Sequence, residues 1–379
     1  MSGGPVALPR WIDLVVLPAF NLALALAVCG VVVWGIGLSP LPVLGAWVKG
    51  AFGSALNLSY TLYYATTFTF TGLAVAVAFH GGQFNIGGEG QAMLGSLGAA
   101  LAALALADHL PAWAMLPLMV ASAAAFGMVW AAVPAALQVW RGSHVVITTI
   151  MFNFIASALL AYLLVNVLKE PGNMTVESRG FASSGHMPGM DVALGWLGIE
   201  WPRTPLNLSL LLALAAALGV WALLWRSRLG YAVRAVGHSP AAAAYGGIRT
   251  RWVVLGSMAL AGALAGLVGV NEIAGVHHRL LLDVVVGAGF AGIAVSLIGR
   301  NHPVGILLAA LLFGALYQGG AELTFEVPGF SRDMVITLQG LIVLFCGAMS
   351  QVAAPVFARA WAAWQVRRVA APAQEARDG

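Results

Sequence analysis

Side chains with chemistry beyond packing are sparse in this sequence. The densest group is Gly81-Gly82-Gln83-Phe84-Asn85-Ile86-Gly87-Gly88-Glu89-Gly90-Gln91. Asn85 and Glu89 stand four residues apart and would share one face of a helix. Asn85, Glu89 and Gln91 can hydrogen-bond hydroxyls or heterocycle edges of a polar solute, and Phe84 can stack on a ring. The same residues allow a second reading, in which Glu89 caps the N-terminus of a half-helix, where the helix dipole favours an anion, or ties neighbouring helices together. The spacing leaves both open. The glycines differ from a nucleotide-binding loop because no strand precedes them and no lysine follows, so they are expected to break a helix.

Other polar residues fall at helical spacing in apolar surroundings. Thr149 and Asn153 lie one turn apart and could face the same polar solute or serve as interhelical ties. Tyr60 and Tyr63 read as an interfacial aromatic belt. The pair His277-His278 has no third ligand at useful spacing and is expected to be solvated, so no metal site is expected. Cys29 and Cys346 sit in apolar stretches and indicate neither a disulfide framework nor a metal cluster. No GxxxxGK[ST] phosphate loop and no nucleophile–base constellation occur, so the chain itself is expected neither to bind ATP nor to catalyse a reaction, and no cofactor is expected.

The elements that must position these residues are membrane helices. Hydrophobic residues make up 60% of the chain and charged residues only 8%, against about 25% charged in a soluble domain. The net charge of +4 comes almost wholly from arginine, without the aromatic interleaving of a nucleic-acid surface, so no nucleic acid partner is expected. Charge-free stretches predict an all-α, polytopic transmembrane bundle of about ten spans, near 14–38, 59–80, 92–107, 112–140, 144–168, 207–225, 252–270, 284–299, 303–320 and 335–355. The third and eighth are short and the fourth contains Pro134, so tilted, kinked or broken helices are expected there. With a cytoplasmic N-terminus, twelve of the eighteen basic residues fall on the cytoplasmic side, including Arg10, Arg141, Arg226, Arg228, Arg234, Arg249, Arg251, Arg300, Arg359, Arg367, Arg368 and Arg377. An even number of spans then returns the C-terminus to the cytoplasm.

Three segments lie outside the spans. Residues 169–206, rich in Gly, Ser, Met and Pro, form an extracytoplasmic loop, either a short ordered element or a flexible cap. Residues 226–251 form a cytoplasmic loop with five arginines and no acidic residue. Within it Ser239 suits an N-cap, Pro240 the first helical position, and the alanines propagate a turn that Gly246 and Gly247 end. Such a two-turn helix fits a groove on another protein, and a solvated loop is the plainer alternative. Residues 356–379 form a cytoplasmic tail that begins as an interfacial helix against membrane lipid. Gly262 and Gly266 predict close helix packing.

Four segments in order carry a family resemblance. They are Phe84–Gln91, Thr148–Ala156, Gly289–Arg300, and Leu229–Pro240 with the Ala-Ala-Ala-Tyr-Gly-Gly-Ile that follows. Together they resemble bacterial ABC importer permeases of the nucleoside and simple-sugar branch. The resemblance implies an inner-membrane permease that forms half of a translocation path for a nucleoside or simple sugar. It implies pairing with a second permease subunit, an ATP-binding subunit that supplies the energy, and an extracytoplasmic substrate-binding lipoprotein. The path would use Phe84, Asn85, Glu89, Gln91, Thr149 and Asn153, and coupling to the ATPase would use Arg234, Ser239, Pro240, Ala243, Tyr245, Gly246 and Gly247. A secondary, ion-coupled transporter is the alternative; it would call for more buried acidic residues or a clear ion site, and for transport by this chain alone.

Overall fold

The computed structural model describes residues 9, 12, 16–170, 172, 174–285 and 287–378, with side chains after Cys346 described only at 352, 353, 355–359, 361 and 362. Arg10 and Pro171, and the side chains of Arg367, Arg368 and Arg377, lie outside the described residues. Helices follow one another as α1 (Leu17–Gly35), α2 (Pro40–Phe52), α3 (Ala55–His80), α4 (Gly88–Leu106), α5 (Ala112–Arg141), α6 (Val145–Leu163), α7 (Met190–Gly195), α8 (Ser209–Arg226), α9 (Arg228–His238), α10 (Pro240–Tyr245), α11 (Thr250–Gly266), α12 (Ala288–Ile298), α13 (Pro303–Glu326) and α14 (Arg332–Asp378). Helix α6 continues as a π-helical turn over Leu164–Leu168, and a second π segment, Val270–His277, extends α11. Among the described residues only isolated β-bridges occur.

Eight of the expected spans are helices long and apolar enough to cross a membrane: α1, α3, α4, α5, α6 with its extension, α8, α11 with its extension, and α13. At the expected eighth span stands α12, with only 11 residues. At 1.5 Å per residue it reaches about 16 Å, roughly half of a hydrocarbon core. The expected tenth span lies within α14, a helix of 47 residues that runs on through 356–378. Pro134 and Pro117 both lie inside α5, which continues through them as a helix.

Two units pack separately. In one, residues 1–46 and 323–379, α1 lies against α14; Phe20 meets Phe357 edge-on at 5.2 Å and the Cys29 thiol donates to the Leu338 carbonyl at 3.7 Å. The other, residues 47–322, has α3 at its centre: 83% of its apolar window is buried, against 22% for α5. Small residues make that interior possible, because without a hydrophobic driving force between helices in lipid, close backbone approach supplies the packing. The Gly262–Gly266 pair works as expected: a Cβ at Gly262 would strike the Gly127 carbonyl of α5, and one at Gly266 the Ala123 carbonyl.

Two helices arise where the charge pattern predicts loop. Residues 228–238 form α9, capped by Ser227, whose Oγ accepts from Gly230 N at 3.0 Å, and buried along Gly230, Val233 and Val236. Its apolar face is too narrow to register as a span. Helix α10 forms as its residues predict, with Ser239 Oγ accepting from Ala242 N at 3.3 Å, Pro240 in the first turn, and Gly247 at φ +81 after the end. Among the described residues of the loop at 169–206, several are tied to the end of the π segment and the residues after it. Ser178, Phe181 and Met187 donate backbone bonds of 2.8 to 3.0 Å to the carbonyls of Leu280, His278 and Ala274, and the His186 ring stacks on His278 at 3.8 Å.

Candidate translocation site

The glycine-rich segment breaks the helix as its sequence predicts. Helix α3 closes at His80, where Gly81 N and Gln83 N both donate to the Ala78 carbonyl, at 3.0 and 2.9 Å. Gly82 takes φ +75, a left-handed conformation that costs a residue without Cβ little. Gln83–Ile86 then run without helical structure, and α4 starts at Gly88. Non-helical backbone buried in a membrane protein needs substitutes for its lost hydrogen bonds. Asn85 Oδ1 accepts from Gly87 N at 2.9 Å and from Gln91 Nε2 at 3.1 Å, while Asn85 Nδ2 donates to Gln91 Oε1 at 3.0 Å. Helix α6 supplies three more. Asn153 Nδ2 donates to the Ile86 carbonyl and Asn153 Oδ1 accepts from Gly90 N, both at 2.9 Å, and Thr149 Oγ1 accepts from Ile86 N at 3.4 Å.

Glu89 faces a second broken element. Its carboxylate oxygens accept from Gly287 N and Gly289 N, each at 2.7 Å, at the start of α12. Gly289 has no room for a side chain, because a Cβ there would meet the backbone nitrogen of Glu89. Helix α4 and the half-length helix α12 therefore meet N-terminus to N-terminus, with one carboxylate between two positive dipole ends. Of the two readings of Glu89, the cap describes this geometry. Five of the six expected path residues, Asn85, Glu89, Gln91, Thr149 and Asn153, form one buried polar assembly. Phe84 stands at its edge, 38% exposed.

A second polar assembly was missing from the expectations. Glu272, two residues past the expected end of the seventh span, is buried on the π segment that extends α11. The Tyr63 hydroxyl donates to Oε2 and Thr67 Oγ1 to Oε1, the latter at 2.7 Å. Asn271 Nδ2 donates to Thr67 Oγ1 at 2.8 Å, and its Oδ1 accepts from Ser209 Oγ at 2.5 Å and Asn207 Nδ2 at 3.1 Å. Tyr63 is thus a buried partner of an acid and no part of an interfacial belt. Tyr63 and Thr67 are one helical turn apart on α3, which was the available signal. Aromatic contacts extend this face of α3: Tyr64 and Phe68 lie 5.9 and 4.9 Å from the Tyr317 ring of α13.

The coupling residues divide by exposure. Tyr245 is 97% exposed, and Pro240, Gly246 and Gly247 are exposed with it, while Arg234 and Ser239 are half-buried. Ala243 differs in exposure from its neighbours. It is 5% exposed on the inner face of α10, the register that Ser239 and Pro240 impose. His277-His278 is less solvated than expected: both rings are half-buried, and His278 packs on the loop through His186.

The described residues thus form a helical bundle in which two broken elements face one another across Glu89. Residues 57–347 match the family described as branched-chain amino acid transport system / permease component, and the chain belongs to that family. It is 34% identical over 332 residues to the guanosine ABC transporter permease protein of Bacillus subtilis, covering 87% of this chain and 92% of that one. It is 33% identical over 334 residues to the glucose ABC transporter permease protein of Haloferax volcanii, covering 86% of each. A nucleoside ABC transporter permease protein of Lactococcus lactis is 30% identical over 336 residues, 87% of this chain and 90% of that one.

Proposed function

We propose that this chain forms half of the path by which an ABC importer moves a nucleoside or simple sugar across the cytoplasmic membrane. A second permease subunit completes the path, an ATP-binding subunit docks on the cytoplasmic face, and an extracytoplasmic binding lipoprotein delivers the solute. The observation that carries the reading is the likeness, over more than four-fifths of the chain, to permeases whose names specify guanosine, nucleoside and glucose. Ten crossings with both termini in the cytoplasm fit the arginine bias, with α12 as a short eighth crossing and α14 as the last.

In this reading Phe84 meets the solute, and Asn85, Glu89, Gln91, Thr149 and Asn153 hold the broken backbone that presents it. The exposed edge of α10, Pro240, Tyr245, Gly246 and Gly247, meets the ATP-binding subunit, with Arg234 and Ser239 behind it and Ala243 packed beneath. The loop 169–206 faces the binding protein, and 226–251 is the coupling loop. The test is uptake of labelled nucleosides, pentoses and hexoses in cells lacking this chain. Loss of uptake for one class, restored by the gene, is expected. Unchanged uptake of all three, or solute movement by the purified chain alone down an ion gradient, would overturn the proposal.

A further inference from the structure

The two glycines on either side of one contact join regions that are far apart in sequence. Gly237, in the last turn of α9, has no space for a side chain: a Cβ there would run into the His80 carbonyl oxygen and lie 3.1 Å from Gly82 N. From the other side, a Cβ on Gly82 would lie 3.2 Å from the Gly237 Cα. The last turn of α9 therefore rests on the turn that ends α3 and opens the broken segment. Helix α11 grips the same turn, since a Cβ on Gly81 would meet Ser257 Oγ at 2.5 Å.

Helix α10 lies between these two grips in the chain. Only Ser239 separates it from α9, donating back to the Ala235 carbonyl at 3.0 Å while its own carbonyl accepts from Ala243 N at 3.0 Å. On its other side Ile248 N donates to the Ala243 carbonyl at 3.0 Å, just before α11 begins at Thr250. A displacement of α10 must reach α9, α11 or both. Both close on Gly81–Gly82.

Beyond Gly82 nothing helical lies before α4 to absorb the movement. Gln83–Ile86 are non-helical, and Glu89, seven positions past Gly82, holds the amides that begin α12. Coupling between distant sites travels through packed contacts that have two arrangements. We propose that the Gly237 contact with the His80–Gly82 turn passes movement of α9 and α10 into the broken segment, making Gly237 a positioning residue of the transport cycle. The proposal rests on the reading that α10 meets the ATP-binding subunit.

The test is hydrogen exchange of the intact transporter, purified through a tag on this chain, with and without ATP plus vanadate. In the native complex nucleotide should change exchange at 240–247 and at 81–88 together. In Gly237→Ala the change at 240–247 should remain and that at 81–88 should disappear, with uptake falling roughly tenfold at a near-native ATPase rate. A nucleotide response at 240–247 with none at 81–88 in the native complex overturns the proposal and leaves the coupling reading standing. No response at 240–247 overturns the coupling reading itself. If Gly237→Ala does not assemble, Gly82→Ala, whose Cβ would lie 3.2 Å from the Gly237 Cα, tests the same contact by the same readout, and a response at 81–88 that persists in the variant overturns the proposal.

Discussion

Two buried glutamates divide the labour of this bundle by opposite means. Glu89 is held by backbone amides of a glycine-rich half-helix, whereas Glu272 is held by side-chain donors, Tyr63 and Thr67 from α3 and Asn271 beside it. Backbone donors cannot be removed by changing the partner residue, so the first arrangement concentrates its sensitivity in Glu89. The second spreads it over several replaceable side chains. The first joins two broken helices and the second ties together elements that remain wound, so the two should respond differently to mutation.

The largest effect is expected from Glu89→Ala. It leaves two amides at the start of α12 without acceptors, each at a cost of about 1–3 kcal/mol if no water replaces the carboxylate. Uptake should be lost and thermal unfolding of the detergent-solubilised transporter lowered. Glu89→Gln keeps an acceptor and should recover part of the uptake without altering the ranking of competing solutes. A changed ranking would show that Glu89 touches the solute, and would break the contrast between the two acids.

Tyr63→Phe should act more mildly, by about 1–2 kcal/mol, because Thr67 and Asn271 still reach the carboxylate. Combining it with Thr67→Val should destabilise by other than the sum of the single changes, as groups sharing one acceptor do. Strict additivity in thermal unfolding would mean that the second assembly is not a unit.

Phe84→Ala is expected to change stability within about 0.5 kcal/mol, as for a part-exposed side chain without polar partners. Its effect belongs in KM, larger for solutes with an aromatic base than for sugars. Equal KM changes for both would remove Phe84 as a stacking residue.

The smallest effect concerns the loop at 169–206, away from both acids. Burial first, then the neighbouring His186, holds the His278 pKa below its usual value, with His277 and Arg279 adding to this and a hydrogen bond to Ala274 opposing it. A histidine whose folded pKa is depressed binds fewer protons folded than unfolded, so its contribution is present above the ordinary value near 6.5 and declines as pH falls through it. The protection of amides at 178–187, corrected for the intrinsic pH dependence of exchange, should therefore fall on acidification below about pH 6.5, and His186→Gln should flatten the dependence. A pH-independent protection factor would show that the stacked rings do not secure the loop.

Legibility in the sequence followed how local the controlling physics is. The break at Gly81–Gly88 and the capped helix α10 were readable because glycine, proline and an N-cap serine act within a few residues. Helix α9 escaped because its three buried positions gain meaning only against α8 and α3. Glu272 escaped for a similar reason: a single carboxylate near the expected end of a span reads as a surface residue until the π segment carries it inward to Tyr63.

Composition and periodicity by themselves determined that the chain lives in a membrane, where most helices run, and where the backbone must break, since each follows from local hydropathy and backbone sterics. Only the tertiary structure decided what the polar residues do there. It turned Glu89 toward the amides of α12, set Ala243 inward and Tyr63 onto Glu272, and laid Gly237 on the turn that opens the broken segment. Those assignments depend on donors and acceptors that lie tens to about two hundred residues away in the chain, and a buried polar group takes whichever partner the packing brings within hydrogen-bond reach.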